Sequence, residues 1–171
     1  MTVDSIIALG SNLGESQDTL ARAIAALAGN VKITVEATSP IAVTEPVGGP
    51  EGQPDYLNQV IRVSTDMSPF ALLRFCQGIE EDFHRVRTIR WGPRTLDIDI
   101  VTFGNLFMDE PELSLPHPRA AERAFVLAPW ARMDPDALLD GQPVVDLAAR
   151  AEDRNGIRGY LGETITPGQS T

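Results

Sequence analysis

Asp97 and Asp99 stand two residues apart in an otherwise apolar run, Leu96-Asp97-Ile98-Asp99-Ile100, directly after an Arg90-Trp91-Gly92-Pro93-Arg94 turn. Side chains at i and i+2 of a strand leave the same face about 7 Å apart along the chain, so the two carboxylates point together. Adjacent carboxylates repel unless a cation lies between them. Hard oxygen ligands favour Mg²⁺ or Mn²⁺, and arginine favours phosphate. Arg85, Arg87, Arg90 and Arg94 crowd in just ahead of the pair, whereas Lys32 is the only lysine in the chain. Either that cluster is a solvated face or its members share an anion, and the neighbouring carboxylates favour the second reading. The local chemistry is that of a metal-bound polyphosphate site, most simply Mg-ATP.

Other residue types suit a flat or phosphorylated ligand. His117 lies between Pro116 and Pro118, which stiffen its approach and suit a phosphate contact. Tyr56 and Trp91 abut loops and offer aromatic faces; Phe125 is either a third such face or a core residue. Asn58 shares the strand face of Tyr56 and has the donors and acceptor to read a heterocycle edge. Gln77 and Glu80, at i and i+3 of a helix, share a face that is either solvent-exposed or turned toward a nucleotide. Cys76, the only cysteine, sits in an apolar helical pattern and reads as a buried inert thiol. His84 is assigned no role.

The elements that must position these groups are legible in outline. Val3–Leu9, Val31–Val43 (interrupted at Ser39-Pro40), Tyr56–Thr65 and Leu96–Phe103 read as strands. Helices are predicted over Gln17–Ala28, from the Ser68-Pro69 cap to Val86, over Glu122–Ala131 and over Val144–Ala151. Residues 44–55 and 88–95 read as loops, Leu113–Pro118 as extended, and 164–171 as a disordered tail. Connections such as 44–55 are too short for parallel crossovers, which predicts an α+β fold with a largely antiparallel sheet. Gly10-Ser11-Asn12-Leu13-Gly14 is a turn, without the Lys-Ser/Thr ending of a phosphate-binding loop.

The chain of 171 residues is most simply one domain, spanning 1–163. Its formal net charge of −10 argues against non-specific binding to nucleic acid or to an anionic membrane. It has neither a signal-peptide pattern nor a membrane-spanning apolar run, which predicts a cytoplasmic protein.

Taken in order, the segments resemble one family, the 6-hydroxymethyl-7,8-dihydropterin pyrophosphokinases of folate biosynthesis. The resemblance runs through Ile7-Ala8-Leu9-Gly10-Ser11-Asn12-Leu13-Gly14, Gln53-Pro54-Asp55-Tyr56-Leu57-Asn58 and Arg85-Val86-Arg87. It is strongest at Arg90-Trp91-Gly92-Pro93-Arg94-Thr95-Leu96-Asp97-Ile98-Asp99-Ile100. It closes with Leu115-Pro116-His117-Pro118-Arg119 and Arg123-Ala124-Phe125-Val126-Leu127. The resemblance implies a ferredoxin-like three-layer sandwich with helices on both faces of the sheet. It implies transfer of the β,γ-diphosphoryl group of ATP to the pterin hydroxymethyl oxygen, releasing AMP, with two Mg²⁺ ions on Asp97 and Asp99. Arg85 and Arg94 would join those carboxylates in catalysis, although a strong general base is not evident. Gln77, Glu80, Arg85, Arg87, Arg90, Arg94, Ile100, His117 and Arg123 would contact ATP. Gly10, Thr44, Val47, Tyr56, Asn58, Trp91 and Phe125 would hold the pterin, the ring lying between Tyr56 and Phe125. Loops 44–55 and 84–95 match segments that close over the substrates.

Three positions depart from the family pattern. Glu45 stands at a frequent proline, His84 at a frequent glycine, and Glu112 where some relatives place a basic nucleotide contact. The chain leaves no room for a fused neighbouring folate enzyme, which predicts a monofunctional protein, expected as a monomer, and the resemblance implies ATP and the pterin as its partners. The alternatives are another Mg-dependent Asp-x-Asp enzyme, such as a nucleotidyltransferase or glycosyltransferase, and a non-catalytic ferredoxin-like nucleotide-binding module. A nucleotidyltransferase would place Gly-Ser close to Asp-x-Asp, whereas here Gly10-Ser11 lies far from Asp97.

Overall fold

A computed structural model describes residues 1–12, 16–45, 55–86 and 96–162, excepting the side chains at 85 and 86. The element order is β1 (Val3–Ser11), α1 (Ser16–Ala28), β2 (Ile33–Thr38), β3 (Ile41–Thr44), β4 (Tyr56–Thr65), α2 (Pro69–Val86), β5 (Leu96–Phe103), β6 (Met108–Asp109) and β7 (Ser114–Leu115). A 3₁₀ turn at Ala120–Glu122 leads into α3 (Ala124–Met133), β8 (Leu138–Leu139), β9 (Gln142–Pro143) and α4 (Val144–Arg150). A second 3₁₀ turn at Arg154–Gly156 precedes β10 (Ile157–Leu161).

The main sheet has the order β10-β3-β4-β1-β5, with β2 also on β4, and its described pairings are all antiparallel. β4 is long enough to take β2 along one half and β3 along the other. The break between them is stitched back to β4, because Ser39 Oγ accepts the Val60 N–H at 2.9 Å and Gln59 Nε2 donates to the Ser39 carbonyl at 2.8 Å.

Alternation along the strands separates two cores. Ile7, Leu9, Ile61, Val63, Leu96, Ile98 and Ile100 pack with Leu20, Leu27, Leu72 and Ile79 from α1 and α2. Ile6, Val60 and Val101 face the other way, against Val126, Leu127 and Trp130 of α3 and Val144 and Leu147 of α4. Burial of a large aliphatic side chain contributes about 1.5–3 kcal/mol, so this period-2 pattern fixes which face each strand residue occupies. The β1–β5 register shifts between Ile6 and Ile7, where Ile100 and Thr102 are the successive partners and Val101 is the extra residue. That bulge returns Phe103 to the first core.

Helix α2 starts as its sequence predicts, since Ser68 Oγ accepts the Ala71 N–H at 3.2 Å and Pro69 opens the helix. Helix α3 lies two residues later than expected. Ala120–Glu122 closes a 3₁₀ turn, and Arg123 then adopts an extended conformation before the helix begins. Strand β10, strand β6 and the hairpin β8–β9 were not anticipated, whereas β7 falls within the segment Leu113–Pro118 read as extended. Strands this short carry too few residues to show a period. No described helix is long and apolar enough to cross a membrane.

Candidate active site

The face of the sheet carrying α3 and α4 holds the polar groups. Register aligns Ala42, Asn58, Gly10 and Asp97 in one row across four strands. The adjoining row is Val60, Ala8 and Asp99, and Thr44 pairs with Tyr56 on the other side. Of these, Ala8, Gly10, Thr44, Tyr56, Asn58, Asp97 and Asp99 border a cavity of about 370 Å³ whose other walls include Arg123, Phe125 and Val126 at the start of α3 and Glu45, Asp153, Gly156 and Ile157. That volume suits a small heterocycle.

Asn58 is buried, its Nδ2 donating to Thr44 Oγ1 at 3.1 Å, while Thr44 Oγ1 donates to the Tyr56 carbonyl at 3.4 Å. A Cβ on Gly10 would stand 2.7 Å from Asn58 Oδ1, so glycine is what lets the amide lie across β1. The amide is thereby held with one side toward the cavity, able to read the edge of a ring.

Asp97 and Asp99 both border the cavity. Loss of hydration pushes the Asp97 carboxyl above its usual range and the Asp99 charge adds to this, while His84 and Arg123 oppose it. Arg123 Nη1 lies 3.8 Å from Asp99 Oδ2, and its guanidinium carbon is 5.6 Å from the Phe125 ring centroid. Among the described residues no group of three His, Cys, Asp or Glu side chains could hold a metal. Two carboxylates with open positions suit Mg²⁺, which keeps several waters and is bound by one or two carboxylates plus substrate phosphates.

Glu80 is tied to the strand that carries the aspartates. Its Oε2 accepts the Ile98 N–H at 2.7 Å, between the two aspartates on the outer edge of β5. Burial raises the Glu80 carboxyl to about 7; the Ile98 bond pulls down, and the charges of Asp97 and Asp99 push up. Gln77 is exposed and accepts from Arg74 Nη1 at 3.2 Å, and Arg74 Nη2 also pairs with Glu112 at 2.6 Å. Glu112 thus presents a paired carboxylate where a basic contact was considered. Ile100 is buried in the α1/α2 core, so its side chain does not reach the cavity.

His117 is held by its own backbone, the N–H donating to the Val101 carbonyl at 2.8 Å. Its Nδ1 accepts the Arg119 N–H at 3.2 Å, which leaves Nε2 as the donor of the neutral ring. Burial lowers the imidazole's proton affinity, and Arg123 and Arg119 lower it further against the pull of Asp99. A neutral Nε2–H beside Asp99 and Arg123 is a suitable phosphate donor.

Gly10, Thr44, Tyr56, Asn58, Asp97, Asp99, Arg123 and Phe125 therefore meet at one cavity. Val47, Arg87, Arg90, Trp91, Arg94 and the Arg85 side chain lie outside the described residues, as do the loop 46–54 and the tail 163–171. Sequence reasoning missed Asp153, Gly156 and Ile157, which come from a short polar stretch with no periodicity. It had singled out Glu45 only as a departure. His84, assigned no role, acts on Asp97 through its charge.

A model of the family described as 7,8-dihydro-6-hydroxymethylpterin-pyrophosphokinase (HPPK) matches residues 6–135. The 2-amino-4-hydroxy-6-hydroxymethyldihydropteridine pyrophosphokinase of Bacillus subtilis is 42% identical over 153 residues, which cover 89% of this chain and 87% of the relative. Its namesake from Pseudomonas aeruginosa is 42% identical over 144 residues, 84% of this chain and 88% of the relative. The crystal structure of wild-type Plasmodium falciparum HPPK-DHPS with pterin and p-hydroxybenzoate is similar in fold, with a TM-score of 0.67 at 15% identity, over 88% of this chain and 43% of that longer one. With its motifs, its cavity and these relatives in agreement, the chain belongs to the 7,8-dihydro-6-hydroxymethylpterin-pyrophosphokinase family.

Proposed function

We propose that this chain transfers the β,γ-diphosphoryl group of ATP to the hydroxymethyl oxygen of 6-hydroxymethyl-7,8-dihydropterin, releasing AMP, in folate biosynthesis. The observation that carries this reading is the convergence of Asp97 and Asp99 with Tyr56, Asn58 and Phe125 on one cavity of a family member. The alcohol oxygen forms a bond to the β-phosphorus as the bond from that phosphorus to the bridging oxygen of the α-phosphate breaks, AMP leaves with that oxygen, and the hydroxyl proton passes to solvent. Asp97 and Asp99 would hold two Mg²⁺ ions, which would supply positive charge to neutralise the triphosphate.

The remaining work belongs to the side chains. Tyr56 and Phe125 sandwich the pterin, stacking that contributes roughly 0.5–1.5 kcal/mol per pair beyond area burial. Asn58 reads the ring edge, with the Thr44 backbone beside it and Gly10 leaving space below; Val47 and Trp91 add apolar walls. Arg123 and His117 donate to the phosphates, as do Arg85, Arg87, Arg90 and Arg94. Gln77 and Glu80 flank the nucleotide from α2, and Ile100 contributes through its backbone. Positioning and electrostatics supply most of the rate.

The fold is a ferredoxin-like three-layer sandwich, a reading supported by the two cores on opposite faces of the sheet. Residues 1–163 make a single domain with a short tail, working as a cytoplasmic monomer. The deciding experiment measures nucleotide products from ATP and Mg²⁺ with and without the pterin. AMP formed only with the pterin is the expected result; ADP, or AMP without pterin dependence, would overturn the reaction.

A further inference from the structure

Asp153 belongs to none of the motifs that mark the family in this chain. Its Oδ1 accepts the Ala124 backbone N–H at 2.9 Å from 29 residues away in sequence. Ala124 is the first residue of α3, and the helix's own N-cap, Arg123, makes no side-chain cap bond. The first N–H groups of a helix have no partner within it, so a carboxylate there satisfies a donor and complements the helix dipole. The residues on either side of Ala124 are Arg123 and Phe125, and all of Arg123, Phe125 and Asp153 border the cavity.

The same segment is tied to the opposite wall. The Gly156 carbonyl accepts the Glu45 N–H at 3.1 Å, and Ile157 pairs with Thr44, itself the partner of Tyr56. Residues 153–157 thus join the start of α3 to the strand pair carrying Thr44 and Tyr56. We infer that Asp153 is a positioning residue which, through the Ala124 N–H, sets the separation of Phe125 from Tyr56 and the aim of Arg123 at Asp99.

The inference rests on the proposed reaction for its kinetic readout but not for its structural one. AMP release is measured for the wild type, Asp153→Asn and Asp153→Ala, varying the pterin and MgATP separately. Exchange of the Ala124 amide is followed by NMR in the same three proteins. Asparagine keeps an acceptor and caps as well as aspartate, so Asp153→Asn retains both KM values. Asp153→Ala raises the KM for the pterin by about fivefold to tenfold, the scale of one lost cap. The Ala124 amide, which has no intrahelical partner, is protected in the wild type and in Asp153→Asn and exchanges freely in Asp153→Ala.

Unchanged KM values in Asp153→Ala, with kcat falling only as the folded fraction falls, would reduce Asp153 to a structural residue and overturn the inference. Equal damage in Asp153→Asn and Asp153→Ala would also overturn it, by making the charge rather than the acceptor decisive. Free exchange of the Ala124 amide in the wild type would overturn it even if Asp153→Ala failed to fold. A wild type that makes no pterin-dependent AMP would count against the reaction instead, and the exchange data would still judge Asp153.

Discussion

Asp97 carries a charge that its own neighbourhood disfavours, since it has lost hydration and the charge of Asp99 lies close by. A cation removes that cost, which is why the pair is expected to matter for turnover and not for folding. Asp97→Ala and Asp99→Ala should each lower kcat by about a thousandfold or more, the scale of losing a group that stabilises transition-state charge. The melting temperature of the metal-free protein should stay level or rise. Wild-type turnover in either variant would remove the carboxylates from the mechanism. At Gly10 the added methyl of Gly10→Ala must displace Asn58 Oδ1, the free end of a side chain tethered to Thr44. The KM for the pterin should therefore rise while the KM for ATP stays put; equal KM values would show that Asn58 does not read the ring. Cys76 tests burial alone. Desolvation, aided by the charges of Glu80 and Asp99, raises its thiol to about 12. A raised acid stays protonated, so the folded protein presents no thiolate near neutrality and should resist thiol reagents until unfolded. The stability from this neutral burial is intact below pH 9.0 and is lost as pH rises toward about 12. Rapid labelling of the native protein at neutral pH would contradict the burial.

Among the elements, β5 has the most at stake, because it carries both aspartates at the edge of the sheet. An edge strand leaves a row of backbone groups without a strand partner, and Glu80 reaches across from α2 to take the Ile98 N–H at 2.7 Å. Glu80→Gln keeps an acceptor, whereas Glu80→Ala leaves the N–H unpaired and should cost about 1–3 kcal/mol in urea denaturation. Equal stability of the two variants would show that the bond does not brace the strand. The spacing of Gln77 and Glu80 on α2 marked a shared face, but it could not say that one would turn to β5 and the other to Arg74. Helix α2 was legible to its first residue because the Ser68-Pro69 cap is local chemistry. Helix α3 was displaced by two residues because its start is set by the 3₁₀ turn ahead of it and by Asp153 far downstream.

At the scale of the molecule, Arg85, Arg87, Arg90 and Arg94 cluster in sequence just ahead of the aspartates while the net charge is −10, a balance that suits a small anionic substrate better than a nucleic-acid lattice. The metal is expected to act with ATP and not as a structural ion, since no group of three candidate ligands is gathered among the described residues. Mg²⁺ alone should shift the melting temperature little, and Mg²⁺ with a non-hydrolysable ATP analogue should shift it several degrees, because only a ligand that binds the native state tightly stabilises it. Chelation should abolish AMP formation and added Mg²⁺ restore it without refolding. A large shift with Mg²⁺ alone would mean a preformed protein metal site.

The sequence by itself determined the aspartate pair, the strand that carries it and the face both side chains share, because alternation along a strand is local and needs no partner. It determined the breaks at Ser39-Pro40 and Ser68-Pro69 for the same reason. Only the tertiary structure decided that Asp97, Gly10 and Asn58 form one row, since register depends on which strands pair and where. It alone brought Phe125 over that row and Asp153 beneath the start of α3. Residues 151–157 have no period to announce them, and their importance comes from the contacts that close the cavity between the sheet and α3.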